Sequence, residues 1–462
     1  MMEKNCSYTG EVTALGSEAE GIINIGGTTA FVPFCLVGER VTFRALKVGK
    51  NIAYGKLEKV EKAAYSRVNP PCAVFTKCGG CALQHAEYSA QIEVKRDMVS
   101  AALKKIGGID FKVSPCVPCA ESYRYRNKLV IPVSQGEGGV ELGFFAPRSH
   151  RVVAVDDCLI QSEWVKTVIY SVKKFAKEQN LTGYTDEAGG VLRHIMVREI
   201  DGKFIFAVVA TQKTDLKPLE KILSENFGNF TLLLNVNAAK TNAVFSDEWH
   251  ICRGEGFFTA EDCGIKFRAG ANTFLQVNDD VRTKLYAKVV AEADENAVAI
   301  DLYSGGGMLT AMLAKKCRAA YGVEIVEEAS RCADELKELN GLENMKNICG
   351  KVEDRIDGIL KAESGSPKII VCDPPRKGME RSAALAVKNS GAEKVVLVSC
   401  NPATLARDLG IILGTLAERE GALVKTSAQA DPPYKIESIT PFDMFPQTKH
   451  VETVVVLSRK IK

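Results

Sequence analysis

Beyond about residue 256 the chain alternates short, largely apolar runs with longer segments in which apolar residues recur at helical spacing. The apolar runs cover residues 297–302, 319–323, 368–372, 395–400 and 451–457. Strands that are buried on both faces of a parallel sheet are apolar throughout, and helices connect them. The pattern therefore predicts a doubly wound α/β domain with a parallel sheet over residues 256–462.

The first 62 residues show a different pattern, in which short strands of mixed polarity are separated by glycine-rich turns such as Gly26-Gly27. Evenly spaced short strands with such turns are typical of a small β-barrel. Lysines gather near the end of this segment, at Lys47, Lys50, Lys56, Lys59 and Lys62. A solvated face explains these lysines at least as well as an RNA-binding surface does.

Residues 63–255 lie between these two patterns and are predicted to form a central, mostly β domain. A proline-bearing linker over residues 66–71 opens this part, and short strands dominate from about residue 122 to 255. Between them, apolar residues recur at near-helical spacing over residues 84–106. This spacing predicts one helix, which is a candidate to pack on the carboxyl-terminal domain.

Composition changes this picture little. The chain has 462 residues, of which 46% are apolar and 25% charged, as in a soluble protein of two or three domains. The formal net charge of +3 is small, so any nucleic-acid surface must be local. We find no signal peptide and no apolar run of membrane-spanning length. We therefore expect a cytoplasmic protein whose 15 cysteines are free, metal-bound or catalytic.

A glycine-rich turn follows the first predicted strand of the α/β domain, at Tyr303-Ser304-Gly305-Gly306-Gly307. Such a turn lets a ligand approach the backbone, but it lacks the G-x-G-x-x-G spacing of pyrophosphate sites. The next strand ends at Glu324, where a carboxylate can accept hydrogen bonds from a ribose. A nucleoside ligand without pyrophosphate indicates S-adenosylmethionine (SAM). The second interpretation of Glu324 is a surface acid at the end of a strand.

The third predicted strand ends in Cys372-Asp373-Pro374-Pro375-Arg376. Enzymes that methylate exocyclic amines of bases carry an aromatic residue after Asp-Pro-Pro, which stacks on the base. Arg376 stands at that position in this chain. The motif therefore disfavours amine methylation.

Cys400 ends the next apolar run, at the edge where open α/β sheets place their reactive groups. Uracil C5 is not nucleophilic by itself, so its methylation needs a thiolate that adds at C6 and a base that later removes the C5 proton. Glu452, at the entrance of the last apolar strand, is the candidate base. Considered without Cys400, Glu452 would instead be assigned to an ion pair with Lys449 or with an arginine at the sheet edge.

Three cysteines cluster at Cys72, Cys78 and Cys81, which indicates a metal site whose fourth ligand lies elsewhere. The candidates for that ligand are Cys158 and the C-x-x-C pair of Cys116 and Cys119. Spacing alone favours zinc held by Cys78, Cys81, Cys116 and Cys119. The cysteines outside these motifs are interpreted as small core residues, namely Cys6, Cys35, Cys252, Cys263, Cys317, Cys332, Cys349 and Cys372.

Taken together, these motifs resemble those of the RNA (uracil-C5)-methyltransferases of the RumA/TrmA type, and the resemblance extends essentially from end to end. Residues 399–408 are similar to the nucleophile motif of that family, residues 444–452 to its base motif, and residues 274–278 to a segment whose glutamine contacts SAM. The resemblance implies three domains. They are a TRAM RNA-binding β-barrel over 1–62, an iron–sulfur domain over 63–255, and a SAM-dependent, Rossmann-like methyltransferase domain over 256–462.

The same resemblance implies roles for individual residues. Cys400 would be the nucleophile and Glu452 the base, and SAM would be bound by Gln276, Tyr303, Glu324 and Asp373. A 4Fe–4S cluster would be held by Cys72, Cys78, Cys81 and Cys158, which leaves Cys116 and Cys119 without a role. One departure is Tyr303-Ser304-Gly305, where Phe-Cys-Gly is common in relatives, but the aromatic residue and the turn are kept.

The implied reaction is the methylation of uracil C5 in RNA to give 5-methyluridine. Bacterial members that are specialised for tRNA typically lack both the TRAM domain and the cluster, so the resemblance implies 23S rRNA as the substrate, with tRNA as the alternative. We expect a monomer. The presence of both Cys400 and Glu452 disfavours an RNA-binding protein with a degenerate catalytic domain. The C-x5-C-x2-C spacing disfavours a radical enzyme.

Overall fold

A computed structural model describes residues 2–419, 422–426 and 432–460. The first sheet has six strands in the order β1-β5-β6-β4-β3-β2. They are β1 (Ser7–Glu11), β2 (Ala14–Leu15), β3 (Gly21–Ile25), β4 (Thr28–Val32), β5 (Arg40–Val48) and β6 (Ile52–Lys62). Between β1 and β2, the Val12 amide donates to Glu39 and the Thr13 amide donates to Ile22. The opening stretch of chain therefore pairs with both ends of this sheet, which has a small apolar core of its own.

One helix separates this sheet from the next. Helix α1 (Tyr88–Ala102) continues into a single π-helical turn, Leu103–Gly107. It begins later than the predicted residue 84, because the preceding residues pair with the linker instead. The Val68 amide donates to the carbonyl of His85, and the Glu87 amide donates to the carbonyl of Ser66. The segment before Tyr88 is thereby held outside the helix, with a turn in which the Ala86 amide donates to the Leu83 carbonyl.

The second sheet has seven strands in the order β13-β12-β11-β10-β7-β8-β9. Helices α2 (Trp164–Glu178) and α3 (Lys217–Ser224) share one apolar core with it. The strands are β7 (Lys128–Gly136), β8 (Gly139–Phe145), β9 (Val152–Ala154), β10 (Leu192–Ile200), β11 (Lys203–Ala210), β12 (Phe230–Val236) and β13 (Trp249–Arg253).

The remaining elements build the α/β part, which follows a hairpin of β14 (Phe257–Asp262) and β15 (Ile265–Gly270). Its strands are β16 (Val298–Leu302), β17 (Ala319–Glu324), β18 (Met345–Cys349), β19 (Lys368–Cys372), β20 (Lys394–Ser399), the short pair β21 (Leu416–Arg419) and β22 (Ala422–Lys425), β23 (Tyr434–Phe442) and β24 (Glu452–Arg459). Its helices are α4 (Asp279–Ala291), α5 (Met308–Ala314), α6 (Glu327–Leu339), α7 (Val352–Ala362), α8 (Arg381–Asn389) and α9 (Pro402–Leu413).

The third sheet has the strand order β18-β17-β16-β19-β20-β24-β23, with a separate apolar core on each face. Strands β16 to β20 pair in parallel, as predicted. The prediction of an all-parallel sheet is wrong at one edge, because β24 pairs antiparallel with both β20 and β23. Sequence patterning also missed β18 and β23. Both are edge strands with one face partly exposed, so neither is apolar throughout.

Among the described residues, no helix combines the length and the apolar character needed to cross a membrane.

Candidate active site

A cavity of roughly 1370 Å³ opens where the parallel strands of the third sheet end. Open α/β sheets bind ligands at this edge because helix amino termini and loop backbones converge there. The structure brings together all six residues that the sequence predicted for SAM and for the chemistry. The lining includes Gln276, Tyr303, Glu324, Asp373, Cys400 and Glu452.

The glycine-rich turn after β16 forms one wall of this cavity. Gly305 and Gly307 have φ angles of +53° and +82°, which glycine adopts at little cost. A side chain at Gly305 or Gly306 would meet nothing, whereas one at Gly307 would lie 2.7 Å from Ala333. The turn is therefore open on its ligand side and tightly packed on its other side.

Tyr303 precedes these glycines and is itself left-handed, with a φ angle of +66°. A bulky residue in this region is strained and needs surrounding structure to hold it. Its amide donates to the Val323 carbonyl at 2.9 Å, which ties the turn to β17. The Tyr303 hydroxyl is buried and has no hydrogen-bond partner among the described residues. This unpartnered group at the cavity fits a site that is completed by a ligand.

Glu324 ends β17 and organises the same wall. One carboxylate oxygen accepts from the Gly305 amide at 2.9 Å, and the other accepts from the Val326 amide at 2.8 Å. Each oxygen keeps a further lone pair that can accept from ribose hydroxyls. Glu324 therefore shapes the turn and still faces the cavity, so it is more than a surface acid.

Gln276 reaches the cavity from the loop before α4. Its backbone carbonyl accepts from Arg282 at 2.9 Å and from Asn127 at 3.3 Å. These two bonds fix the main chain, and the largely buried side chain lines the cavity. Arg282 is also buried and pairs with Asp262 at 2.6 Å, so the loop is anchored to the β14–β15 hairpin.

Two aspartates lie on the cavity wall, and burial raises the pKa of each to about 7. Asp373 is the predicted SAM ligand. Asp301, near the end of β16, was not among the residues that the sequence predicted for the site. It accepts a hydrogen bond from Thr310 at 2.6 Å. An acid inside an otherwise apolar strand was the available signal for Asp301.

Cys400 follows β20, at the start of the turn into α9. Asn401 caps this helix by accepting from the Ala403 amide at 3.0 Å, which fixes the backbone beside the thiol. Burial, with a further contribution from Glu452, raises the pKa of Cys400 to about 11. Arg376 acts in the opposite direction and lowers the pKa of this thiol.

Glu452 is 3% exposed and is the first residue of β24. Because β24 runs antiparallel to β20, with Thr453 opposite Ser399, its first residues meet the end of β20 where Cys400 lies. Burial raises the pKa of Glu452 to about 8, with an added effect of Asp373, while Arg376 lowers it. The structure thus places one acid and one thiol, each depressed in acidity, at the same cavity.

Arg376 is the functional candidate that sequence reasoning missed, since it was used only as an argument against amine methylation. It lines the cavity and is the cation that favours the charged forms of both Cys400 and Glu452. Its carbonyl accepts from the Asn401 side chain at 3.2 Å and from the Thr404 hydroxyl at 3.4 Å. The loop after β19 is therefore fastened to the helix that follows the thiol.

The alternative interpretation of Glu452, an ion pair with Lys449, is not what the structure shows. Lys449 pairs with Glu18 of the first sheet instead. His450 lies between Lys449 and β24, edge-on to Phe445 with ring centroids 5.9 Å apart. Burial lowers the pKa of His450 to about 4, so its imidazole is neutral at physiological pH.

The four cysteines predicted to hold an iron–sulfur cluster lie in one neighbourhood. Cys72, Cys78 and Cys158 each add to the rise in the pKa of Cys81, behind the larger effect of burial, which brings it to about 12. Within the described ranges, however, no three His, Cys, Asp or Glu side chains are arranged to hold a metal ion. The structure therefore does not confirm the predicted cluster.

The other cysteines divide into two groups. Cys116 and Cys119 are buried, and the Cys119 thiol accepts from the Asn278 side chain at 3.2 Å. Of those interpreted as core residues, Cys35, Cys317 and Cys372 are buried and Cys263 is half-buried. That interpretation is wrong for four others, which are exposed: Cys6, Cys252, Cys332 and Cys349.

Comparison with known proteins identifies the family to which this chain is similar. The tRNA (Uracil-5-)-methyltransferase family model matches residues 87–460. An uncharacterized RNA methyltransferase of Clostridium tetani is 36% identical over 99% of this chain and 97% of its own length. A similar relative from Halalkalibacterium halodurans is 35% identical over 99% of this chain and 98% of its own length.

A solved structure shows the same fold at lower sequence identity. The tRNA (uracil-54, C5)-methyltransferase of Pyrococcus abyssi, in complex with S-adenosyl-L-homocysteine (SAH), is 23% identical. The match has a TM-score of 0.75 and covers 97% of this chain and 99% of that one. With the family match over most of its length, this chain belongs to the tRNA (uracil-5-)-methyltransferase family of SAM-dependent RNA methyltransferases.

Proposed function

We propose that this enzyme methylates uracil C5 in 23S rRNA to give 5-methyluridine, with Cys400 as nucleophile and Glu452 as base. The observation that carries the proposal is the meeting of these two residues at one cavity with Gln276, Tyr303, Glu324 and the neighbouring Asp373. In the sequence they belong to separate motifs, and only the antiparallel last strand brings them to one edge.

Cys400 and Glu452 are sufficient for the bond-forming and proton-transfer steps of this reaction. The Cys400 thiol releases its proton to solvent in the cavity, and the resulting thiolate adds to C6 of the uracil and makes an enolate whose C5 is nucleophilic. C5 then takes the methyl group that SAM supplies, and SAH leaves. Glu452 removes the C5 proton, the C6–sulfur bond breaks, and the ring double bond and the thiolate are restored. The target base has to leave its stack to reach Cys400.

The raised pKa values indicate in which order Cys400 and Glu452 become charged during the reaction. Glu452 raises the pKa of Cys400, so a thiolate forms more readily while Glu452 is neutral. Once sulfur is bonded to C6, the thiolate charge is gone, so Glu452 can release its own proton to solvent at lower cost. The carboxylate then accepts the C5 proton. Arg376 favours the charged form at both stages. The arrangement therefore suits an addition step that is followed by a separate elimination step.

The choice of rRNA rests on the amino-terminal sheet and the cysteines. We assign the sheet of β1 to β6 as a TRAM-type β-barrel for RNA binding, and Cys72, Cys78, Cys81 and Cys158 as ligands of a 4Fe–4S cluster. Cys72 and Cys78 both add to the raised pKa values of Cys81 and Cys158, which supports the proximity of the four residues. Among the described residues, these side chains are not arranged to hold a metal ion. The proposed reaction therefore has no step that depends on the cluster.

The alternative substrate is tRNA. It is favoured by one observation, the likeness of the whole chain to a tRNA (uracil-54, C5)-methyltransferase. Mapping 5-methyluridine in RNA from cells that lack this protein separates the two. Loss from 23S rRNA alone is the expected result, and loss from tRNA alone would replace the proposed substrate. If 5-methyluridine in both RNAs is unchanged, the proposed reaction is wrong.

A further inference from the structure

The loop that carries the base motif, residues 443–450, is held almost entirely by groups from outside the third sheet. Successive carbonyls of this loop each accept a hydrogen bond. Asn278 donates to Met444 at 3.2 Å, and Lys95 donates to Phe445 at 2.9 Å. Tyr125 donates to Pro446 at 3.1 Å, and the amides of Ala82 and Leu83 donate to Gln447 at 3.0 and 2.9 Å. Glu452 follows directly from a loop whose backbone is fixed at every carbonyl from Met444 to Gln447.

Helix α1 contributes the side chains that hold both ends of this loop. The buried Gln91 makes two bonds with Gln447. Its oxygen accepts from the Gln447 amide at 3.0 Å, and its nitrogen donates to the Gln447 side chain at 2.9 Å. Gln447 has a left-handed φ angle of +69°, a strained conformation that such contacts can hold in place.

Lys95, one helical turn further along, is fully buried and forms an ion pair with the equally buried Asp443. A buried ion pair is a poor source of stability, because two charges lose their hydration, but it strongly favours one geometry. Two of the three residues that α1 buries, Gln91 and Lys95, are polar, and the third is Val99. Apolar residues at these two positions would have sufficed for packing.

The other end of the same helix contacts the nucleophile side of the site. Its π turn, Leu103–Gly107, packs against α9, which begins two residues after Cys400. The Thr415 hydroxyl donates to the Gly107 carbonyl at 2.6 Å. A side chain at Gly107 would lie 2.7 Å from the Ala406 carbonyl of α9, so this approach requires glycine. π turns within helices are often found at functional sites.

We propose that α1 with its π turn fixes Glu452 relative to Cys400, and that Gln91 and Lys95 are positioning residues for removal of the C5 proton. This inference rests on the proposed function. A proton is transferred efficiently only when the carboxylate lies within hydrogen-bond reach of it, whereas addition of Cys400 and methyl transfer do not use Glu452 as a base. Loosening the base loop therefore slows the last step selectively.

The test measures formation of the methylated adduct and its release separately in one reaction. RNA isolated from cells that lack the protein is mixed with enzyme and SAM labelled in its methyl group, and samples are quenched in denaturant. Label in a protein–RNA band on a denaturing gel measures the methylated adduct, and label in free RNA measures its release. Glu452→Gln serves as the reference, because we expect it to form the adduct and to retain it.

Gln91→Met removes the two bonds to Gln447 with little change in volume. We expect adduct formation to stay within about threefold of the wild-type rate and adduct release to slow by about tenfold to a hundredfold. The matched control is Glu93→Gln, an exposed position on the same helix, which should leave both rates unchanged.

Lys95→Met alone leaves Asp443 buried without its cation and could fail to fold, so the second variant is the double change Lys95→Met with Asp443→Leu. Removal of both charges is often neutral or stabilising. We expect a folded protein, with a thermal midpoint no lower than that of the wild type, that still releases the adduct slowly. Slow release together with undiminished stability separates positioning from a purely structural role.

The inference is overturned if both variants fold and release the adduct at the wild-type rate, or if formation and release slow to the same extent. Failure of the proposed function looks different. In that case wild-type enzyme transfers no label to RNA, or Glu452→Gln accumulates no adduct.

Discussion

At the scale of single residues, the site depends on acids and thiols that are shielded from water. Burial raises the pKa of Glu452 to about 8 and that of Cys400 to about 11, and Arg376 is the cation that opposes both shifts. Perturbed pKa values of this kind are characteristic of catalytic groups. Two predictions belong to this scale.

Cys400→Ala should abolish methyl transfer to RNA and leave binding of SAH within about threefold of the wild type, which is less than 1 kcal/mol. The thiol supplies the bond to C6, and the other cysteine among the described lining residues, Cys332, belongs to α6. Transfer of labelled methyl groups and calorimetric titration with SAH measure the two properties. Retained methylation would show that Cys400 is not the nucleophile.

Glu452→Gln should stabilise the protein, and increasingly so as the pH rises. The pKa of Glu452 is near 8 in the folded state and ordinarily near 4.5, so the folded protein binds a proton that the unfolded chain has lost between these values. Wild-type stability therefore falls as the pH rises through this window, by at most about 5 kcal/mol, whereas glutamine does not titrate.

Urea unfolding of Glu452→Gln and wild type at pH 5 and pH 9 measures this difference. It should be small at pH 5 and several kcal/mol at pH 9. The same change at an exposed position of α1, Glu93→Gln, provides the control. A difference for Glu452→Gln that is equal at the two pH values would contradict the assigned burial of this acid.

At the scale of elements, short connections hold the reactive side chains. Asn401 caps α9 through the Ala403 amide and also donates to the carbonyl of Arg376. One residue thus joins the turn that carries Cys400 to the loop that carries the cation. A helix cap of this kind contributes about 1 kcal/mol.

Asn401→Ala should therefore lower the free energy of unfolding by about 1 kcal/mol and also reduce the rate of methyl transfer. Asn401→Asp is the matched variant, because its carboxylate keeps the cap but cannot donate to Arg376. We expect it to retain stability and to share the loss of rate. Thermal unfolding and single-turnover assays measure the two effects, and full activity of both variants would exclude a role for this contact.

At the scale of the whole molecule, parts that are distant in sequence meet around the base loop. Lys449 pairs with Glu18 of the first sheet, and Gln447 accepts hydrogen bonds from Ala82 and Leu83, just after the cysteine motif. The proposed RNA-binding sheet and the proposed cluster segment both contact the loop that precedes Glu452. The position of this loop therefore depends on contacts with both parts.

The metal content is the prediction that belongs to this scale. Protein purified without oxygen should be brown and contain iron, and Cys158→Ser should lose that iron while Cys116→Ser keeps it. Elemental analysis and visible absorbance measure both. Colourless protein with one zinc per chain would move the ligand set to Cys78, Cys81, Cys116 and Cys119.

Much of the site could be predicted from the sequence alone. Glu324, Asp373 and Cys400 each follow an apolar run, and parallel strands carry their carboxyl ends to one edge, so a local pattern was enough to bring them together. The glycine turn at Tyr303 was equally local. In these cases the run of apolar residues predicted where each strand lies in the sequence. The end of the strand then determined where the next residue lies in the fold.

Only the tertiary structure decided the place of Glu452, the role of Arg376 and the polar face of α1. In the all-parallel sheet that the sequence predicted, the start of the last strand would lie at the edge opposite Cys400, and its antiparallel direction reverses this. From the sequence alone, Lys95 would be assigned to the solvent-exposed face of a helix. The structure shows that it is buried and paired with Asp443. The direction of β24 depends on its pairing with β20, which is far from it along the chain, and the buried ion pair joins residues 348 positions apart, so no local pattern can encode either.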